Sequence, residues 1–268
     1  VQVRMPLPNL SLAARARLFE NALAALDSEA LGNHFEDQNK RLGFLYHSGL
    51  RELLDQPRDV ARVFNAVRLM EPLLREEIVF ADILGMAALS VKAPAVFDLL
   101  KKQPRLFVGR LSADPYEFGD SKDLIEAGME DRKRAYDACA DAAVKKVVHF
   151  LFPDVAVSEG SRSLGAGTYA DGVVSHPSRL IVALQLSVTD GDVSIKAARQ
   201  YLQQSGQRGE IVSKLSLDNC FEFIDMLGEV GASLPSGEID DVEATCVSIA
   251  RLVDAPIFVA RKEAKHVI

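Results

Sequence analysis

The tripeptide Pro57-Arg58-Asp59 holds the residue best placed to do chemistry in this sequence. Pro57 suits the first turn of a helix, where its missing N–H costs little, so Arg58 falls at the positive end of that helix's dipole. A cation there is disfavoured by roughly 0.3–1 kcal/mol. Two readings follow: Asp59 offsets the charge locally, or Arg58 reaches an anion outside its own helix. The terminal phosphate of a nucleotide held by a neighbouring core qualifies as that anion, because the guanidinium offers a fixed fork of donors.

Other chemistry is sparse. Cradling a nucleotide's phosphates in a glycine-rich loop takes a G-x-x-x-x-G-K-S/T run, and the sequence has none; the stretch Gly160 to Gly167 is glycine-rich but no lysine follows it. A G-x-S-x-G nucleophile turn and an H-E-x-x-H zinc helix are also absent. His34, His47, His149, His176 and His266 are scattered and read as hydrogen-bonded structural or surface residues. Asp240-Asp241 and Glu76-Glu77 sit near expected helix starts, where carboxylates act as dipole and capping residues. Cys139, Cys220 and Cys246 have no CxxC partner and read as small buried residues. The expectation is no catalytic residue and no metal site within the chain.

The bulk composition agrees with a packed protein. With 268 residues, 48% of them hydrophobic, the chain can bury one large core or two modest ones. A net charge of -7 argues against a dedicated nucleic-acid binder. The local exception is Lys196, Arg199, Arg208 and Lys214, on a helix pair expected around Ser194 to Leu215. Duplex DNA binding there would weaken with salt. The longest apolar run, Ile78 to Val91, is interrupted by Asp82 and is too short to span a bilayer. A cytoplasmic location is the expectation.

These residues need elements to hold them. Val1-Gln2-Val3-Arg4-Met5 alternates apolar and polar like a strand, and a single strand needs a neighbouring sheet; that sheet is expected outside this sequence. After the stiff Pro6–Asn9 link, capped by Asn9 or Ser11, Leu12, Ala16, Phe19, Leu23 and Leu26 form one helical stripe. A helix is expected from Lys40 to Leu54, and another from Pro57 with Val60, Phe64, Val67 and Leu74 inward. The run Ile78 to Val91 is apolar nearly all round and predicts a central buried helix; Pro94 opens a short helix that Pro104 ends. Val108 to Asp120 reads as a boundary, Ser121 to Phe150 as one long helix or a bent pair, and Asp154 to His176 as a loop. Pro177 opens a further helix, Asp192 or Ser194 caps one ending near Gln204, and Asp240 to Val253 is the last clear helix. Pro256 to Ala260 fits strand or helix. The expected fold is all-α, a lid-like bundle with a C-terminal helical domain, preceded by one strand of an α/β core. The expected divisions are 1–8 (strand and link), 9–110 (helical lid), 111–153 (long connecting helix) and 154–268 (C-terminal helical domain).

A family resemblance joins these parts. The opening VQVRMPLPNLSLAARARLF resembles the last core strand of a KAP family P-loop NTPase running into its helical lid. QPRDVARVFNAVRLMEPLL looks like that family's proline-arginine-aspartate motif, followed by a helix with an internal asparagine, here Asn65. EEIVFADILGMAALSVKAPAVFDLLKKQPRLFVG resembles its next helices, and SHPSRLIVALQLSVTDGDVSIKAARQYLQQ its C-terminal helical part. The resemblance implies a parent protein that binds and hydrolyses ATP with magnesium, on Walker motifs upstream of Val1. It implies a bacterial setting, often at membranes or in defence against phage and plasmids. Arg58 then resembles a sensor arginine reporting on nucleotide, supported by Pro57, Asp59 and Asn65.

Two functions are thus expected from different classes. One is a nucleotide-dependent switch, in which this helical region moves against its own N-terminal NTPase core, in a homo-oligomer or with a partner protein. The other is a non-catalytic helical interaction module, working through the C-terminal half or the 154–176 loop.

Overall fold

The computed structural model describes residues 11–32, 34–35, 37–111, 120–139, 141–189, 192–234 and 236–264, and among these every regular element is a helix. The strand expected at Val1–Met5 lies outside the described residues, as do Asn9 and His266. The chain divides into two compact units, Val1–Arg75 with Val79–Ala166, and Glu76–Ile78 with Gly167–Ile268.

The first unit begins with α1 (Leu12–Ala24), whose cap is Ser11: its Oγ accepts the Ala14 N–H at 3.2 Å. Phe19 points inward, with ring centroids 4.6 Å from Tyr46 and 5.6 Å from Phe64. Leu12 does not join that stripe; it is 72% exposed at the first turn. The helix expected from Lys40 to Leu54 is α2 (Gln38–Leu45), a π turn (Tyr46–Leu50) and α3 (Arg51–Leu53). Then come α4 (Pro57–Leu74) and α5 (Phe80–Lys92), packed on each other, with α1 against α4 and α2 against α5. Val60, Val63, Phe64, Val67 and Leu74 of α4 are buried, as their spacing dictates. Every residue of α5 from Phe80 to Leu89 is buried, matching its apolar character on all sides.

The remainder of this unit is α6 (Pro94–Lys102), α7 (Arg105–Val108), α8 (Ser121–Ala127), α9 (Met129–Asp137), α10 (Ala143–Leu151) and α11 (Pro153–Ser158). The single long connecting helix expected over 111–153 is therefore replaced by short ones packed within the unit: α8 on α7, α9 on α6 and α10 on α5. One break is at Gly128, where an added Cβ would lie 2.7 Å from the Arg132 guanidinium, which turns back beneath it. The 154–176 segment is not wholly a loop either, since α11 occupies its start. At Gly165 a Cβ would come 1.7 Å from the Phe150 carbonyl oxygen, so only glycine lets the backbone pass α10.

The second unit contains α12 (Pro177–Gln185), α13 (Ile195–Gln203), α14 (Arg208–Ser213), α15 (Cys220–Ser233), α16 (Val242–Leu252) and α17 (Pro256–Ala264). Ser194 is the cap of α13, its Oγ accepting the Ala197 N–H, and Asp241 caps α16 through Ala244. The ambiguous Pro256 segment is helical. α15 lies along α13, with Tyr201 and Phe223 edge to face at 5.7 Å. No single helix among the described residues is long and apolar enough to cross a membrane; α5 and α6 pass only as a pair, bent by 114°.

Candidate functional site

The start of α4 separates two neighbouring charges. Gln56 is extended, Pro57 takes the first helical position, and the chain turns into the helix with Arg58 outward and Asp59 inward. Asp59 is 3% exposed, and its carboxylate accepts from Lys92 Nζ at 2.6 Å, tying the first turn of α4 to the last turn of α5. Asp59 therefore does not neutralise Arg58; it faces a different helix. Arg58 is exposed and forms no ion pair or hydrogen bond among the described residues. A shallow groove beside it is lined by Pro57 and by Ser11, Ala14, Arg17 and Asn21 of the capping turn and α1. Asn65 is exposed two turns further along and accepts from Arg68 Nη1 at 3.0 Å. Pro57, Arg58, Asn65 and the arginines at 62 and 68 thus lie along the outer side of α4, while Asp59 belongs to its packing side.

Three buried carboxylates build the frame around this helix and elsewhere. Asp82, fully buried in α5, receives Arg41 Nε at 2.7 Å and Nη2 at 3.0 Å, while Arg41 Nη1 donates to the Gly165 carbonyl at 2.7 Å. The residue that broke the apolar run is thus an anchor for α2 and the Gly165 turn. Glu159, just after α11, accepts from Arg132 Nε at 2.8 Å, Lys145 Nζ at 3.0 Å and His149 Nε2 at 2.9 Å. Burial pushes its carboxyl up, but His149, Arg132 and Lys145 outweigh that and hold it at about 2. Burial, with the Glu159 charge beside it, raises the Tyr136 phenol well above its ordinary value. In the second unit Glu77 accepts from Arg179 Nη1 at 2.9 Å, from Ser194 Oγ at 2.5 Å and from the backbone N–H of Ile195 at 2.9 Å. It caps α13, a helix more than a hundred residues downstream, rather than the start of α5. Glu76 beside it pairs with Lys196 at 3.0 Å.

Each of these acids is met by donors from several sides, which suits a structural role. The remaining candidates are distributed in the same way. His34 bonds the Glu29 carbonyl, His47 contacts Arg51, and His176 contacts Ser178, with burial lowering the His176 pKa to about 4. No group of three or more His, Cys, Asp or Glu among the described residues is arranged to hold a metal ion. The cysteines are free; Cys220 is buried, Cys139 half-buried and Cys246, against expectation, exposed on α16. Of the four basic residues expected to face DNA, Lys196 and Lys214 pair with Glu76 and Glu210. Arg208 donates to the Tyr201 carbonyl and Thr245 Oγ1, and Arg199 is half-buried, so the four form no common exposed face.

No family model, curated protein or solved structure matches the chain.

What sequence reading missed was the set of buried acids. The signal for Asp82 was available, since a carboxylate inside an apolar helix needs a cation. For Glu159, nothing in local spacing marks it out.

Proposed function

We propose that this chain is the helical lid and C-terminal region of a P-loop nucleotide hydrolase of the KAP kind that it resembles, and that Arg58 is its contact with nucleotide. The observation that carries the reading is the division between Arg58 and Asp59. Asp59 is drawn inward by Lys92, leaving Arg58 at the positive end of α4 with no counter-charge of its own. Such an arginine is held on a rigid helix and directed outward, which is the arrangement needed to compensate a phosphate presented by another body. In this reading ATP and magnesium are bound by a core outside this sequence, and cleavage of the terminal phosphate releases Arg58 and changes the angle between lid and core. The chain performs no chemistry itself.

The test is Arg58→Ala in the protein that carries both this chain and its nucleotide-binding core. A loss of ATP turnover on the order of tenfold or more is expected, together with loss of nucleotide-dependent oligomerisation. Unchanged turnover and unchanged oligomerisation would rule the role out.

A second reading, a helical interaction module without nucleotide, is favoured by Leu69 and Leu73, which lie one turn apart on the outer side of α4 at 75% and 57% exposure. Polar replacement of this pair with ATP turnover retained, but partner capture lost, distinguishes it from the first.

A further inference from the structure

The outer side of α16 carries its charges and apolar residues in a self-complementary order. The inner side is settled: Thr245 and Leu252 are buried, Tyr201 Oη lies 2.7 Å from Ser248 Oγ, and Arg208 donates to Thr245 Oγ1 at 2.6 Å. Glu243, Ala244, Val247, Ala250 and Arg251 are all exposed. Val247, at 45% exposure, is their midpoint. Glu243 stands four residues before it and Arg251 four after, Ala244 three before and Ala250 three after.

Neither Glu243 nor Arg251 forms an ion pair or a hydrogen bond through its side chain among the described residues. A shallow groove follows the same face, with Glu243, Ala244, Val247 and Arg251 in its lining. The face is thus acidic at one end, apolar in the middle and basic at the other end, with both charges unanswered.

We infer that two copies of this chain pair through α16, antiparallel, about a two-fold axis at Val247. In that arrangement a residue a given number of places before Val247 meets the one as many places after it on the other copy. Glu243 of each copy therefore meets Arg251 of the other, Ala244 meets Ala250, and the two Val247 side chains meet at the axis. A parallel pairing would set Glu243 against Glu243 and Arg251 against Arg251, so charge fixes the direction. The occupant is a second copy because the order of acid, apolar residue and base is matched, in reverse, by the same helix. The two alanines let the backbones approach, and Val242 and Val253, at 50% and 38% exposure, add apolar area near the two ends. A two-fold contact uses one face and closes at two copies. The helix is about 16 Å long at 1.5 Å per residue. The contact is therefore at the small end of interface sizes, and the dimer dissociates on dilution. It does not use Arg58 and goes beyond the nucleotide reading.

The experiment is sedimentation velocity on the chain without nucleotide, at protein concentrations from about 1 μM to about 1 mM. A monomer–dimer equilibrium with no larger species is expected. Glu243→Arg and Arg251→Glu, each alone, should weaken the dimer by about tenfold or more, because each sets like charges at both ends of the seam. Val247→Asp should weaken it as well, by placing two carboxylates at the axis. An equimolar mixture of Glu243→Arg and Arg251→Glu chains should recover the dimer, because position 243 of each then faces the opposite charge at 251 of the other. If a reversal unfolds the chain, Glu243→Gln with Arg251→Gln carries the same test by loss of the dimer. A chain that stays monomeric throughout, or that builds larger species as its concentration rises, would overturn the inference. So would single reversals that dimerise like wild type, or a mixture that fails to recover. No nucleotide is present, so these outcomes are independent of ATP turnover in the Arg58→Ala protein.

Discussion

Each of the two units is organised around a carboxylate that meets a fully buried arginine, but the two hubs are assembled at very different range. In the first, Glu159 gathers Arg132 from 27 residues upstream and His149 from 10 residues upstream, with Lys145 half exposed at the rim. In the second, Glu77 meets Arg179 across 102 residues and the start of α13 across 117 to 119. The first hub is local and partly open to water. The second closes a long loop around the fully buried Arg179, whose guanidinium also donates to the Val193 carbonyl. A buried charge whose partner is removed keeps its full desolvation penalty, so the two hubs differ in what they cost to break.

The largest effect is expected at Glu77. Glu77→Ala removes the carboxylate that meets the buried Arg179 charge and uncaps α13, for a loss of about 3–5 kcal/mol in urea unfolding. Hydrogen exchange should show the earliest loss of protection over α13. Glu159→Ala should cost less, about 2–3 kcal/mol, because Arg132 retains the carbonyls of Leu106 and Ile125. Equal losses, or a reversed order, would break the distinction between a closed and an open hub.

Acid titration sharpens the same comparison. Burial, and then the charge of Arg179, depress His176 in the second unit to about 4 from an ordinary 6.5, so the unfolded chain takes up its proton first. The stability tied to His176 is present above pH 6.5 and is lost as the pH falls towards 4. Glu159 in the first unit is held at about 2 against an ordinary 4.5, so its contribution is intact above pH 4.5 and is lost only on further acidification towards 2. Amide exchange followed from neutral to acid pH should therefore loosen the second unit before the first. Simultaneous loosening would remove His176 and Glu159 as the groups that set the order.

How much of this was legible depends on range. Pro57 at the first position of α4, the α4 stripe, the buried run of α5 and the cap at Ser194 were all visible, because each follows from spacing within a few residues. The long helix or bent pair expected over 121–150 is three short helices, one break falling at Gly128, which gives room for Arg132 to fold back beneath it. Asp82 signalled its need for a cation, but which cation meets Asp82 or Glu77 was hidden, because the arginines come from 41 and 102 residues away. Arg58 and Asp59 show the limit most clearly. Sequence placed both in one helical turn, but only Lys92, 33 residues further along, decides that Asp59 faces inward.

That division between adjacent residues is also where the functional reading is most exposed to test. Arg58→Ala and Asp59→Ala should be compared in a protein carrying this chain together with the nucleotide-binding core proposed for it, with urea unfolding and ATP turnover measured on each. Arg58→Ala is expected to leave stability within about 0.5 kcal/mol of wild type and to lose turnover. Asp59→Ala should lower stability by about 1–3 kcal/mol by stranding Lys92. An Arg58→Ala protein that hydrolyses ATP like wild type would contradict the assignment of Arg58 to nucleotide.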